Sequence, residues 1–125
     1  MNHALNNPKT TENRKTYLLK ESFLRRIYEF WYHIIIQNLP IGDGKILEIG
    51  SGGGFLKEKI PTLITSDAMP LPGVDQQIHS SSLPFDNCEL KAIVGTNVLH
   101  HLPEIWKFLF EADRVLQAGG RLNLS

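Results

Sequence analysis

The segment EIGSGGGF, residues 48–55, places four glycines within five positions, directly after the apolar stretch Lys45-Ile46-Leu47. Glycine is the residue most costly to order, so such a cluster marks a place where the backbone must turn tightly or let something approach it. A turn alone needs one or two glycines. A phosphate loop ends in Gly-Lys-Ser/Thr, whereas Phe55 and Leu56 follow Gly54 here. A dinucleotide fingerprint, G-x-G-x-x-G, fits Gly50 and Gly52 but requires glycine where Phe55 stands. The pattern present is Glu48-x-Gly50-x-Gly52-x-Gly54. A carboxylate two residues before the first glycine repels a pyrophosphate. It suits a ligand with a cationic end and no phosphate.

The surrounding chain gives the cluster its setting. After residue 45, short apolar runs alternate with helical or loop segments. The expected strands are 45–49, 63–66, 74–78, 90–95 and 121–124, with helices over 55–60 and from Pro103 to about residue 117. Pro103 fits a first helical position, and Ile105, Phe108, Leu109, Ala112, Val115 and Leu116 form an apolar stripe. Alternation of this kind favours a parallel sheet covered on both faces. Ligands of such sheets sit at the carboxyl ends of the strands, near the point where strand order reverses. Upstream, residues 1–14 read as a mobile arm. Residues 15–40 read as an N-terminal helix, with Leu24, Ile27, Tyr28, Trp31, Ile34 and Ile35 at three- and four-residue steps. That helix is either core packing or a lid, with Tyr17, Tyr28 or Tyr32 reaching the site.

Charge and cysteine content narrow the partners. Thirteen basic and thirteen acidic residues cancel over 125 residues, which removes the electrostatic argument for nucleic acid or an anionic membrane. No apolar run approaches the ~18 residues of a membrane span. Cys88 is the sole cysteine, so no intrachain disulfide forms, and a reducing, cytoplasmic setting is the default expectation. Metal ligation is not expected, because the histidines and Cys88 show no ligand spacing.

A second carboxylate, Asp67, ends the second expected strand seventeen residues after Gly50. Near that spacing a carboxylate accepts hydrogen bonds from both ribose hydroxyls. Together the two features suggest a nucleoside ligand without phosphates. At this point the chain resembles the class I S-adenosylmethionine-dependent methyltransferases, on Glu48-x-Gly-x-Gly-x-Gly, Asp67, SSLPFDN, NVLHHLPE and EADRVLQAGGRL. The nearest branch in pattern is that of the ubiquinone and menaquinone methyltransferases.

The resemblance implies an α/β, Rossmann-like, doubly wound and mostly parallel sheet over residues 41–125. It implies S-adenosylmethionine as cofactor and a small-molecule methyl acceptor. Gly50, Gly52 and Gly54 would admit the methionine part of the cofactor, and Glu48 would hold the loop or meet its ammonium. Asp67 would take the ribose, with Ala68 and Met69 against the adenine face. His79 and Ser80 would lie at the adenine edge, where the family more often has aspartate and a small residue. Asn97 would sit beside the methyl-bearing sulfur. His100 and His101 are the candidates for a general base, or else form a loop-to-helix cap.

The family's sheet has seven strands, and five are expected here. Arg121 to Ser125 is therefore expected as an edge strand, open to pairing in a homodimer. Two other readings stay open: a cofactor-binding module without transferase activity, and a NAD- or nucleotide-sugar-binding protein.

Overall fold

A computed structural model describes Thr11 and residues 22–125. Most of the expected arm and Tyr17 lie outside those residues. Helix α1 (Ser22–Gln37) leads into β1 (Lys45–Glu48), β2 (Ile64–Asp67), β3 (Gln76–Gln77), β4 (Leu90–Gly95), α2 (Ile105–Val115) and β5 (Leu116–Leu124). The five strands form one sheet of order β3-β2-β1-β4-β5, and every pairing is parallel. From β1 the chain winds outward through β2 and β3, then crosses back to β4 on the other side. The order reverses beside β1, so the glycine cluster emerges at the switch point, where Rossmann-like sheets hold their ligands.

Period-two alternation decides which side chain goes to which face. On one face Ile46 of β1 and Ala92 and Val94 of β4 pack with Tyr32 and Ile35 of α1 and with Phe55, Leu56, Ile60 and Leu63. On the other, Leu47 and Ile93 pack with Phe108, Ala112 and Val115 of α2, and with Leu83, Phe85 and Val98. Leu47 and Ile93 are fully buried, each contributing roughly 1.5–3 kcal/mol of transfer free energy. The apolar stripe of α2 falls as its spacing dictates. On α1 the buried face runs through Tyr32 and Ile35, while Ile34 is exposed.

The loop before β4 is held by one ion pair. Glu111 accepts from the Leu83 N–H at 2.8 Å. Arg114 donates to the carbonyls of Phe85 (2.8 Å) and Leu83 (2.9 Å) and to Glu111. The segments SSLPFDN and EADRVL are thus two halves of one clasp, which holds Leu83 and Phe85 in the core.

Four expectations need correction. The helix expected over 55–60 is a single 3-10 turn, Leu56–Glu58. Three glycines before it and Pro61 after it leave too few residues for an α-helix to repay its nucleation. The third strand shrinks to Gln76–Gln77, because the Asp75 carboxylate accepts from both the Thr65 N–H and hydroxyl and takes over the place of ladder pairing. The helix over the apolar stripe begins at Ile105, with Glu104 at its cap in a left-handed conformation, so Pro103 precedes it. The last strand starts at Leu116, opposite Leu90. A bulge follows, and Arg121 is the residue opposite Ala92. Beyond the bulge, Arg121 to Leu124 pair with Ala92 to Gly95, and β5 lies at the sheet edge.

Candidate functional site

The loop after β1 is built by three anchors. Gly50 and Gly52 take left-handed φ values of 60° and 44°, a region that costs other residues roughly 1–2 kcal/mol. The first anchor is Ser51. Its N–H donates to the Ser66 carbonyl (2.8 Å), and its hydroxyl donates to Glu48 Oε1 (2.6 Å) while accepting from the Ser66 N–H (3.0 Å). Ser66 returns a hydroxyl bond to the Glu48 carbonyl at 2.6 Å. These bonds tie the ends of β1 and β2 together.

The second anchor is Asp67. One carboxylate oxygen accepts from the Gly52 N–H and the other from the Met69 N–H, both at 3.0 Å. An ionised carboxylate has about four acceptor sites, so each oxygen keeps capacity for a further donor. The third anchor is Tyr32, whose hydroxyl accepts from the Phe55 N–H at 3.0 Å. A Cβ on Gly54 would stand 2.4 Å from that hydroxyl, so Gly54 is required by the tyrosine behind the loop. Burial pushes the Tyr32 phenol well above its ordinary value, so it stays protonated.

The anchored loop forms one side of a cavity of about 500 Å³. All ten residues singled out from the sequence line it: Glu48, Gly50, Gly52, Gly54, Asp67, Ala68, Met69, His79, Ser80 and Asn97. Tyr28 and Tyr32 line it as well, as does Thr11 from the expected arm, 8% exposed. Of the two candidate bases, His101 lines the cavity and His100 does not, although their rings lie 4.0 Å apart. His101 is exposed and entirely on the rim-forming 3-10 turn, Leu99–His101. His101→Ala is therefore expected to fold normally and to keep cofactor affinity within about threefold, the usual scale for a surface substitution. A thermal melt and a titration check both.

Several lining groups carried no sequence signal. Ser51 reads as a spacer between glycines, yet it is the bridge between strands. Tyr32 sits in an aromatic helix face, and nothing local shows that its hydroxyl reaches Phe55. Thr96 follows β4, and its hydroxyl oxygen is buried without a hydrogen-bond partner among the described residues. A buried polar group left unpaired costs about 1–3 kcal/mol. The glycine backbone and the spare acceptor capacity of Asp67 fit a polar nucleoside ligand.

Glu48 is 3% exposed, and burial lifts its carboxyl from 4.5 to about 7, against the Ser51 hydrogen bond and with help from the Asp67 charge. In the unfolded chain the group ionises at its ordinary value. The folded state therefore holds this proton to higher pH, and stability falls as pH rises from about 4.5 to about 7, then levels. The fall is on the order of 3 kcal/mol at 1.36 kcal/mol for each unit. Asp75 and Glu111, held below their ordinary values by Lys57 and Arg114, act only at lower pH. Denaturant melts of the ligand-free protein near pH 5 and pH 8 should show the decline, and Glu48→Gln should remove it.

The chain resembles known proteins in both sequence and structure. The family described as "Methyltransferase domain" matches residues 47–124. No curated protein matches. A candidate S-adenosyl-L-methionine-dependent methyltransferase of Methanococcus maripaludis superposes with a TM-score of 0.76 at 16% identity, over 95% of this chain and 63% of that one. The YcgJ protein of Bacillus subtilis gives 0.67 at 23% identity, over 77% of this chain and 50% of that one. Geranyl diphosphate C-methyltransferase of Streptomyces coelicolor, solved with S-adenosyl-L-homocysteine, gives 0.62 at 15% identity, over 98% of this chain and 53% of that one. The chain thus spans between 50% and 63% of the length of these structures. With its family match over 47–124, its Rossmann-like strand order and its glycine loop at the switch point, this chain belongs to the methyltransferase-domain family, that of the class I S-adenosylmethionine-dependent enzymes.

Proposed function

We propose that the chain binds S-adenosylmethionine in the cavity beside β1 and serves in methyl transfer to a small-molecule acceptor. The observation that carries this reading is the convergence of the glycine loop, Glu48 and Asp67 on one cavity, inside a domain of this family. When bound, the cofactor supplies an electrophilic methyl group on a sulfonium.

The work left to the protein is alignment and exclusion of water. Asp67 would hold the two ribose hydroxyls with the acceptor capacity that Gly52 and Met69 leave open. Gly50, Gly52 and Gly54 would let the backbone lie against the methionine part, while Glu48 both fixes the loop through Ser51 and faces the ammonium. Ala68 and Met69 would cover the adenine, with His79 and Ser80 at its edge. Asn97, with a left-handed φ of 55°, would present its side chain near the sulfur. The motifs NVLHHLPE and EADRVLQAGGRL favour the quinone-methyltransferase branch, and the single cysteine fits a cytoplasmic setting. The reading is tested by incubating the chain with methyl-labelled S-adenosylmethionine and a small-molecule extract. Label should pass to a small organic product. Cofactor binding without any transfer would favour the binding-only module instead.

A second copy of the chain is a further proposed partner. Among the described residues the outer edge of β5 carries no strand, and Leu122 on β5 is 37% exposed. Unpaired edges invite parallel or antiparallel pairing. Light scattering is expected to show a monomer–dimer equilibrium, and a strict monomer at high concentration would contradict it.

A further inference from the structure

Beyond β4 the cavity wall is carried by Thr96, Asn97 and Val98. This short loop has little of its own to hold it. Asn97 stands in the left-handed region with a φ of 55°, where residues other than glycine are strained. The 3-10 turn that follows, Leu99–His101, has no side chain bonded at its cap, Val98. The backbone N–H groups of Asn97, Val98 and Leu99 therefore need acceptors from elsewhere in the chain.

All three find them on one residue. The Asn97 N–H donates to the Ser125 hydroxyl at 3.0 Å. The Val98 and Leu99 N–H groups both donate to the Ser125 backbone oxygen, at 2.8 and 3.0 Å. The Ser125 N–H donates to the Gly95 carbonyl at 3.1 Å, just past the pairing of Leu124 with Gly95 that ends β5. Ser125 is not itself among the lining residues. It holds the wall from behind. The same loop also abuts the glycine cluster, because Val98 Cγ2 stands 2.4 Å from where a Cβ on Gly50 would be.

We propose that Ser125 is a positioning residue for the cofactor cavity: its hydroxyl holds Asn97, and through Asn97 the wall beyond β4, in the shape that binds the ligand. This rests on the reading of the cavity as the S-adenosylmethionine site. Backbone and side chain of Ser125 have separate tasks. The backbone oxygen fixes Val98 and Leu99, and with them the turn that brings His101 to the rim. The hydroxyl serves Asn97 alone among the described residues, at the one place where the backbone is left-handed. Without the hydroxyl, Asn97 loses the bond that offsets its strain, and the loop visits other conformations. The ligand then binds only the fraction whose wall is in place, so its apparent affinity falls in proportion.

Ser125→Ala removes the hydroxyl and leaves the backbone bonds in place. In the ligand-free full chain, amide hydrogen exchange read residue by residue by NMR should quicken at Asn97 and stay unchanged at Val98 and Leu99. Titration calorimetry with S-adenosylhomocysteine should show affinity lowered about twofold to tenfold, the scale of one hydrogen bond. The thermal melt should barely move, because Ser125 is exposed. Ser125→Thr keeps a hydroxyl and should restore both the exchange rate and the affinity. Unchanged exchange at Asn97, unchanged affinity in Ser125→Ala, or a loss that threonine does not restore would overturn the inference while leaving the cofactor assignment intact. Failure of the unaltered chain to bind S-adenosylhomocysteine would overturn the assignment and the inference together.

Discussion

Asp67→Ala is expected to weaken S-adenosylhomocysteine binding by two to four orders of magnitude. Two hydrogen bonds from ribose hydroxyls to an ionised acceptor contribute roughly 1.5–3 kcal/mol each, and each 1.4 kcal/mol is tenfold. The substitution also frees the N–H groups of Gly52 and Met69, each held at 3.0 Å by a different oxygen of this side chain. The loop then reaches the ligand without its preset shape, which adds to the loss. Fold stability should fall far less, because both loops border the cavity and their N–H groups can turn to water. Asp67→Asn separates the contributions, since its one carbonyl oxygen can keep a single acceptor contact. Titration calorimetry of the three proteins, beside their thermal melts, gives the answer. An unchanged affinity in Asp67→Ala would reduce Asp67 to a turn residue.

Gly50→Ala should damage both fold and site. Its φ of 60° costs an alanine roughly 1–2 kcal/mol. The new Cβ would also stand 2.4 Å from Val98 Cγ2 and 3.2 Å from Val98 Cβ. Val98 has little room to yield, being 7% exposed, and its other methyl lies 2.6 Å from where a Cβ on Gly95 would be. Overpacking of this kind typically costs 1–3 kcal/mol, so a total of about 2–5 kcal/mol is expected, with cofactor binding lost as the ends of β1 and β4 part. Pairing the change with Val98→Ala should relieve the clash and leave the backbone penalty. That non-additivity is the signature of direct contact. Additive losses in denaturant melts would show that Val98 is not the obstacle.

Much of the site was legible because its signals are local. Four glycines at a strand end, a carboxylate two residues before them and another at the next strand end are all read along the chain. They converge because parallel strands place their carboxyl ends side by side. The apolar stripe of α2 was legible for the same reason, since Phe108, Ala112 and Val115 mark one helical face. The bonds that hold the site were not legible, because they join distant segments. Tyr32 reaches Phe55 across the helix–sheet junction, Ser51 spans β1 and β2, and Arg114 closes on Leu83 and Phe85. Element lengths were misread where a side chain displaced the backbone pattern, as Asp75 does at β3, or where too few residues remained, as between Gly54 and Pro61.

The occupant of the cavity beside β1 decides what the glycine loop, Glu48 and Asp67 are for. Titration calorimetry of the chain with S-adenosylhomocysteine and, separately, with NAD measures this directly. Both ligands offer a ribose to Asp67, but only NAD brings a pyrophosphate to a loop backed by Glu48. The expected result is saturable binding of S-adenosylhomocysteine and none of NAD. Tighter binding of NAD would contradict the assignment of the glycine loop and the roles given to Glu48 and Asp67.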